Sequence, residues 1–325
     1  MAASNINAPV PDIPFFTPKH LHSPGTPKEL SSNTPTLFTP IQIRDVTLRN
    51  RIAVSPMCQY STAASGSEIG VLTDWHIATL GHYAIKGAAL VFVEATGVQP
   101  NGRISPNCPG LWDDAQIGGL KRVADFVKSQ GALLGVQLAH AGRKSSTAAP
   151  WMSTVLGRKS KRADKDIGGW PDDVKGPSGG ASETWDGFFD SEQSRFWPPK
   201  ALSTQEVKEV IQDFAKAAER SIMAGVDVIE IHAAHGYLLH QFLSPVSNRS
   251  ADDYGGSFEN RTKLLCEVIK AVRTVVPAST PVFLRMSSTE CLEDTDLGKK
   301  LGSWDVESTI RVAKQLPALG IDLLD

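Results

Sequence analysis

Short apolar runs rich in β-branched residues alternate with longer segments of helical period from residue 51 onward. Six of the short runs have the length and composition of buried strands. They cover residues 52–55, 89–95, 133–138, 226–231, 282–286 and 321–324. The segments between them repeat their apolar residues every three or four positions, as helices do. Strands that alternate with helices in this way predict a parallel sheet with helical crossovers.

Polar residues mark where several of these helices begin. Asp74 precedes the helical segment after the first strand, and Ser257 precedes the one after the fourth strand. Ser203 is followed three residues later by Glu206, which is the pattern of a capping box. Ser303 is the predicted start of the last helix.

Residues 147–200 break this alternation, because they are rich in glycine and proline and contain Trp170, Trp185 and Trp197. The stretch follows the third predicted strand, on the face where β/α barrels carry their active sites. A long loop at this position is either a lid or a disordered insertion, and the sequence leaves both open. Residues 1–36, rich in Pro, Ser, Thr and Asn, predict a flexible tail before a single domain at 37–325.

Composition narrows the class of partner to a small molecule. The 33 basic and 35 acidic residues nearly cancel, so a nucleic-acid partner is not expected. No apolar run reaches the roughly 20 residues that span a bilayer, so membrane insertion is not expected either. The four cysteines lie far apart without a C-x-x-C pair. That spacing argues against a zinc site and a disulfide framework, and it favours a reducing, cytoplasmic location.

Three polar rings, those of His232, His235 and Tyr237, follow the fourth predicted strand. The carboxyl end of a barrel strand faces the active site. Two imidazoles three residues apart can donate hydrogen bonds to one carbonyl or nitro oxygen, and a phenol beside them can deliver a proton. A structural interpretation stays open, in which the histidines only satisfy buried backbone groups.

A metal site is the second competing interpretation of these histidines. His232 and His235 would need a third ligand, and His140 or Glu94 could supply it from another strand. Such a site would make the protein a metal-dependent barrel hydrolase. The cationic Arg285 at a neighbouring strand end opposes a divalent cation, so no metal is expected.

Several blocks of sequence resemble the old yellow enzyme family. They are SPMCQY at 55–60, VEA at 93–95, QLAHAGRK at 137–144, HAAHGY at 232–237, FLSP at 242–245 and YGGSFENR at 254–261. Cys58 with Tyr60 is similar to the thermophilic-like subgroup of that family. The resemblance covers residue 37 to the last residue. It implies a (β/α)8 TIM barrel that binds FMN and takes a hydride from NADPH or NADH.

The resemblance also implies which side chains lie against FMN. They are Ser55, Pro56, Met57, Cys58, Ala95, Gln137 and Arg285. Gln137 corresponds to the amide that hydrogen-bonds the pyrimidine edge of the flavin. Arg285 corresponds to the cation near the flavin N1 and O2 atoms.

Substrate-binding residues follow from the same resemblance. His232 and His235 correspond to the pair that binds the substrate oxygen, Tyr60 to the phenol that assists them, and Tyr237 to the proton donor. The implied reaction is an ene-reduction, in which hydride passes from NAD(P)H through FMN to the β-carbon of an unsaturated carbonyl compound or nitroalkene.

About six of the eight β/α units of the implied barrel fit within the 325 residues. The loops after the seventh and eighth strands, which bind the FMN phosphate in the family, are expected to fall outside them. We rank three explanations: a fragment of an active ene-reductase, a short form without activity, and a chain completed by a partner. The second would be a paralogue that acts as a binding or interaction protein. A homo-oligomer is compatible with all three.

Overall fold

The computed structural model describes residues 8–155, 161–186 and 195–325. Its strands are β1 (Ile41–Ile43), β2 (Val46–Leu48), β3 (Ala53–Val54), β4 (Leu90–Gly97), β5 (Leu133–Ala139), β6 (Lys175–Gly176), β7 (Lys200–Ala201), β8 (Val228–Ala233), β9 (Val282–Met286) and β10 (Leu323–Leu324). Its helices are α1 (Asp74–Ile85), α2 (Ile117–Ser129), α3 (Pro150–Val155), α4 (Thr204–Met223), α5 (Leu238–Leu243), α6 (Phe258–Val275), α7 (Asp296–Leu301), α8 (Val306–Ala313) and α9 (Leu316–Leu319).

A six-stranded sheet forms the centre of the molecule, in the order β10-β9-β8-β5-β4-β3. Every neighbouring pair in this sheet is parallel. All six predicted strands are present, with ends that lie within two residues of the predicted ones. The predicted fold class is therefore confirmed, as six consecutive strands of a β/α barrel.

Helices pack their apolar faces against the outside of this sheet. Along α4, Val210, Phe214 and Ala218 are fully buried at intervals of four residues, so one stripe of the helix faces the core. The inner side of the sheet holds a smaller cluster, where the rings of Phe92 and Phe283 lie 6.1 Å apart. The β1–β2 hairpin contributes Leu48 to this inner cluster and had no counterpart in the sequence prediction.

Two helix starts follow the prediction. Ser203 and Glu206 form the expected capping box, and the Ser257 hydroxyl accepts a hydrogen bond from the Asn260 backbone N–H. The side chains therefore satisfy N–H groups that have no partner within the helix.

Two predicted helix starts were wrong. Thr73, not Asp74, caps α1, and Asp74 is its first helical residue. Asp305, not Ser303, caps α8, because its carboxylate accepts from the Ser308 N–H at 2.8 Å. Trp304 lies between the two candidates and is fully buried, with its indole N–H donating to the Ser287 carbonyl at 3.0 Å. Because Trp304 is held in this buried position, α8 begins only after it, with Asp305 as the cap.

The N-terminal segment predicted as a tail makes contacts in its described part. The ring of Phe15 stacks on Phe126 of α2 with centroids 5.9 Å apart, and the Gln130 amide donates to the Thr17 hydroxyl at 3.0 Å. Residues 1–7 lie outside the described ones, and the flexibility of the segment and the boundary at residue 36 stay predictions.

The described part of the inserted stretch 147–200 makes contacts both with the rest of the chain and within itself. Trp170 donates from its indole N–H to the Asn101 carbonyl at 3.1 Å, and Trp197 donates to the Ala163 carbonyl at 3.0 Å. A short parallel ladder joins β6 to β7. The role of the stretch as a lid stays a prediction, and residues 156–160 and 187–194 lie outside the described ones. In the same described residues, no helix is long and apolar enough to cross a membrane.

Replacing Phe214 by alanine should remove a fully buried ring from the face of α4 that packs against the core. We expect the free energy of unfolding to fall by about 3–5 kcal/mol, since the lost burial and the remaining cavity add. Urea denaturation followed by far-UV circular dichroism measures it. Lys208→Ala, at an exposed position of the same helix, is the matched control and should change stability by less than about 0.5 kcal/mol. Equal losses in the two variants would contradict the assignment of the buried face.

Candidate active site

Strand register sets which side chains meet at the carboxyl end of the sheet. Ala95 of β4 lies directly beside Gln137 of β5, and His232 of β8 lies directly beside Arg285 of β9. A bulge at Glu94 shifts the register of β4, so that Ala95 rather than the glutamate faces Gln137. The structure therefore brings together four residues that the sequence placed on separate strands.

His232 is 3% exposed, and burial lowers its pKa well below the ordinary histidine value. Its ring is therefore neutral near pH 7. The Nδ1 atom accepts a hydrogen bond from the Ala234 backbone N–H at 3.3 Å. A neutral imidazole that accepts at Nδ1 carries its proton on Nε2. His232 thus presents an N–H donor rather than a cation.

His235 and Tyr237 lie around the His232 ring. The ring centroids of His232 and His235 are 5.2 Å apart, and those of His232 and Tyr237 are 5.1 Å apart. His235 adopts a left-handed backbone conformation with φ of 59°, and its N–H donates to the Ser287 hydroxyl at 2.9 Å. Burial lowers the pKa of His235 and raises that of Tyr237. The site therefore combines two neutral imidazoles with a protonated phenol.

The loop after β3 joins this group from the opposite edge of the sheet. Ser55 and Met57 are exposed, whereas Pro56 is half-buried. The Cys108 side chain, followed by the Ala95 backbone and the Tyr60 side chain, lowers the pKa of the Cys58 thiol against the opposing effect of burial. The loop therefore lies close to the end of β4.

Tyr60 adopts a left-handed backbone conformation with φ of 50°, which is rare for a residue with a side chain. Burial raises its pKa, and the nearby Cys58, Cys108 and Tyr237 raise it further. The Tyr60 phenol therefore stays protonated near neutral pH.

Glu230 is a site residue that the sequence analysis missed. It lies beside Gln137 in the β5–β8 ladder, and the Gln137 amide donates to its carboxylate at 2.8 Å. Burial raises the pKa of Glu230 to about 7. The carboxylate fixes the orientation of the amide. An acidic residue two positions before His232 in a predicted strand was the available signal, since alternate residues share one face.

Lys144 is a second site residue to which the sequence alone assigned no role, although it is the last residue of the QLAHAGRK block at 137–144. Its Nζ donates to the His235 carbonyl at 2.8 Å and lies 4.8 Å from the centre of the Tyr237 ring. The same atom is 4.3 Å from the centre of the Trp185 ring. Burial, with the nearby charge of Arg143, lowers the pKa of Lys144 to about 8.

Trp185 brings the inserted stretch to the site. A side-chain carbon added at Gly236 would lie 2.0 Å from the Trp185 ring, so the indole rests directly on the Gly236 backbone. A cavity of about 560 Å³ is bounded by Trp185 and Glu183 on one side and by His235 on the other. The insertion therefore forms one wall beside the polar rings, which local sequence pattern could not predict.

His140, the proposed third metal ligand, is already engaged by protein groups. Its Nδ1 accepts from the Gly142 N–H at 3.0 Å, and its Nε2 lies 3.1 Å from the Gln99 side-chain oxygen. Burial lowers its pKa to about 3. Within the residues that the structure describes, no three His, Cys, Asp or Glu side chains are placed to hold a metal ion.

Comparison with known proteins identifies the family. Residues 36–322 match the model of the NADH:flavin oxidoreductase / NADH oxidase family. The chain belongs to this family. It is 45% identical over 314 residues to the NADH:flavin oxidoreductase FG08077 of Gibberella zeae, an alignment that covers 96% of this chain and 71% of that protein. It is 41% identical over 289 residues to the NADPH dehydrogenase of Bacillus subtilis, covering 89% of this chain and 72% of the relative.

Solved structures of old yellow enzymes and related reductases share the fold. Morphinone reductase superposes with a TM-score of 0.67 at 30% identity, over 91% of this chain and 72% of that one. The old yellow enzyme homologue from Zymomonas mobilis superposes with a TM-score of 0.65 at 29% identity, over 89% of this chain and 72% of that one. This member of the family is thus an oxidoreductase of the old yellow enzyme type, with FMN and a nicotinamide nucleotide as cofactors.

The residues present fit a flavin ring. Among the described residues, Glu230 is the one hydrogen-bond partner of the Gln137 side chain, which leaves amide acceptor and donor capacity for a pyrimidine edge. Arg285 adds a cation at the end of β9, two strands from Gln137, where it is paired with Asp325 at 3.1 Å. Ala95, beside Gln137, adds a side chain small enough for a planar ring to approach. Met57, 49% exposed, offers an apolar surface.

Replacing Glu230 by glutamine should stabilise the protein at alkaline pH. The folded state holds the Glu230 proton more tightly than the unfolded chain, because the pKa rises to about 7. The wild-type protein therefore loses stability as pH rises from about 4.5 to about 7, whereas the glutamine variant has no charge to bury. We expect the variant to gain roughly 1–3 kcal/mol over wild type at pH 8 and nothing at pH 4.5.

Urea denaturation of both proteins across this pH range measures the difference. Glu209→Gln, at an exposed position of α4, is the matched control and should show no such divergence. A gap between Glu230→Gln and wild type that stays constant with pH would contradict the buried ionisation.

Proposed function

We propose that this oxidoreductase is an ene-reductase: it uses NAD(P)H and FMN to reduce the carbon–carbon double bond of unsaturated carbonyl compounds or nitroalkenes. The observation that carries the proposal is the convergence of His232, His235 and Tyr237 at the end of β8, directly beside Arg285 of β9. A reductase for an activated alkene needs an oxygen-binding group and a proton donor within reach of one hydride source.

His232 and His235 bind the substrate oxygen in this proposal. Both rings are neutral, because burial lowers the pKa of each. A neutral N–H donor stabilises the negative charge that develops on the oxygen without needing a counter-ion in the buried site. Charge drawn toward the oxygen leaves the β-carbon electron-poor, which favours attack by hydride there.

Tyr237 delivers the proton to the α-carbon. Its phenol stays protonated, since burial raises its pKa, and its ring lies 5.1 Å from that of His232. The cation of Lys144 over the phenol ring stabilises the phenolate that remains after proton transfer. The Tyr60 phenol, which also stays protonated, assists in binding the oxygen.

Flavin binding is assigned to Ser55, Pro56, Met57, Cys58, Ala95, Gln137 and Arg285. FMN, when bound, supplies the hydride that it has received from NAD(P)H. Gln137, oriented by Glu230, binds the polar edge of the ring. Arg285 places a permanent positive charge at the side of the ring that becomes negative on reduction.

The lid is assigned to the inserted stretch, with Trp185 as the side chain that closes the site. The indole lies against Gly236, and the Lys144 ammonium group lies over both the Trp185 ring and the Tyr237 ring. A lid held at this point excludes water beside the proton donor, which strengthens every hydrogen bond in the site. A cytoplasmic location and a homo-oligomer stay predictions.

Tyr237→Phe separates the two half-reactions. With FMN added during purification, anaerobic NADPH should bleach the visible flavin band of both wild type and variant at rates within about twofold. Reoxidation by 2-cyclohexenone should slow by about 100-fold in the variant, because phenylalanine has no proton to deliver. Stopped-flow absorbance measures both steps.

Tyr83→Phe, on α1, is the matched control and should leave both rates unchanged. An equal fall in the rates of both half-reactions in Tyr237→Phe would contradict the assignment of Tyr237 as the proton donor. A flavin that bleaches with NADPH in wild type but is not reoxidised by any enone or nitroalkene would contradict the ene-reductase proposal itself.

Trp185→Ala tests the lid. We expect KM for 2-cyclohexenone to rise about fivefold with kcat nearly unchanged, since the lost wall contact is worth roughly 1 kcal/mol. Steady-state kinetics gives both constants. Trp151→Ala, an exposed tryptophan of α3, serves as control. An unchanged KM in Trp185→Ala, or an equal rise in KM in both variants, would contradict the proposal that Trp185 forms a wall of the substrate site.

A further inference from the structure

A series of hydrogen bonds links helix α1 to the end of strand β4, next to the candidate active site. His76 of α1 is fully buried, and its Nε2 atom lies 3.1 Å from Oε1 of Glu94. Glu94 is 1% exposed. The sequence suggested Glu94 only as a possible metal ligand, whereas the structure pairs it with a histidine from a neighbouring helix.

Thr73 fixes which nitrogen of His76 carries the proton. The Thr73 backbone N–H donates to Nδ1 of His76 at 3.0 Å. A ring that accepts at Nδ1 carries its proton on Nε2, so His76 donates to the Glu94 carboxylate. The other carboxylate oxygen, Oε2, is buried and has no hydrogen-bond partner among the described residues. Loss of the histidine would therefore leave a buried carboxyl group without any partner there, which is costly.

The same glutamate forms the bulge in β4. The register of β4 against β5 shifts between Val93 and Ala95. The Glu94 carbonyl accepts a hydrogen bond from the Thr96 hydroxyl at 2.7 Å, so the backbone of the bulged residue is held as well as its side chain. Ala95 faces Gln137 because of this shift. His76 thus holds the residue that decides which side chain meets the surface assigned to the flavin.

The other end of the series reaches the loop that carries Tyr60. The Thr73 hydroxyl donates to the Ser61 carbonyl at 3.3 Å and lies 3.1 Å from Nδ1 of His76. Ser61 directly follows Tyr60, whose φ of 50° is rare for a residue with a side chain. A backbone in that region persists only where its surroundings support it. The hydrogen bonds therefore connect the Tyr60 loop to the bulge in β4.

We propose that His76 and Glu94 are positioning residues: with Thr73, they hold the Tyr60 loop and the β4 bulge in a fixed relation and so shape the surface that binds FMN. Neither side chain touches flavin or substrate. Groups that contact a ligand must be held to within about 0.5 Å by residues behind them. The effect on FMN depends on the flavin-binding residues assigned above, and the effect on Tyr60 rests on the proposed function.

Glu94→Leu tests the pair, since leucine has a similar volume but offers His76 no acceptor. Hydrogen–deuterium exchange of the 325-residue protein without added FMN, followed by mass spectrometry, should be about tenfold faster in peptides that cover 94–98 and unchanged in those of α6. The dissociation constant of FMN, measured by ultrafiltration, should rise about tenfold, because Ala95 no longer holds its place beside Gln137. Glu94→Gln still offers an oxygen to His76, and both values should return to within about threefold of wild type.

Two controls separate positioning from loss of stability. Phe214→Ala removes a buried ring of α4 and should leave the dissociation constant of FMN within about twofold of wild type. His76→Phe should repeat the losses of Glu94→Leu, whereas its matched control His82→Phe, at an exposed position of α1, should not. Wild-type exchange and FMN affinity in both Glu94→Leu and His76→Phe overturn the proposal. So does a loss of FMN affinity in Phe214→Ala equal to that in Glu94→Leu.

Thr73→Val tests the end at Tyr60. Valine keeps the shape of threonine but cannot donate to the Ser61 carbonyl, while its backbone N–H still fixes His76. We expect KM for 2-cyclohexenone to rise about fivefold with kcat and FMN affinity within about twofold, and Thr73→Ser to restore KM. An unchanged KM in Thr73→Val overturns the link to Tyr60. A wild-type protein that binds FMN but reduces no enone contradicts the proposed function, and the exchange and FMN measurements still decide the role of His76 and Glu94.

Discussion

The parallel register of β4, β5, β8 and β9 is the constraint on which the rest of the site depends. Parallel strands end at one edge of a sheet, so residues far apart in sequence arrive there at the same height. Ala95, Gln137, His232 and Arg285 are neighbours only because these ladders fix them. The bulge at Glu94 is part of the same constraint, since a regular strand would turn the glutamate rather than the alanine toward Gln137. A slip of one residue in β8 would send His232 to the outer face of the sheet and end the convergence of the polar rings.

Burial in this sheet sets the charge state of each group. Loss of water disfavours the charged form of every titratable side chain, and it lowers the pKa of His232 while raising those of Tyr237 and Glu230. The result is a site of neutral donors in which Lys144 and Arg285 carry the positive charge. Such an arrangement favours a negative charge that develops on a substrate oxygen more than it favours a resident metal cation. The electrostatics and the ring geometry therefore support the same class of chemistry.

The sequence predicted the parallel sheet because strands buried on both faces are almost continuously apolar, and this signal is local. It predicted the caps at Ser203 and Ser257 for the same reason, whereas Asp305 was missed because the burial of Trp304, a tertiary effect, decides where that helix begins. His232, His235 and Tyr237 could be found since they lie within six residues. For Glu230 the sequence offered only its place two residues before His232, because its role depends on the register with Gln137.

The insertion is where sequence reasoning had least to work with and where the structure adds most. Its place after the third strand predicted the face on which it lies, but its aromatic residues predicted no particular contact, since a long loop has no periodicity to interpret. In the structure, Lys144 connects the two parts: its ammonium group lies over the rings of Trp185 and Tyr237 and donates to the His235 carbonyl. Any movement of the Trp185 segment therefore changes the hydration of that ammonium group, and with it the field felt by the phenol of Tyr237. In the proposed reaction, closure of the insertion and the acidity of Tyr237 would be coupled through Lys144, so the loop would take part in the chemistry of the site as well as form one of its walls.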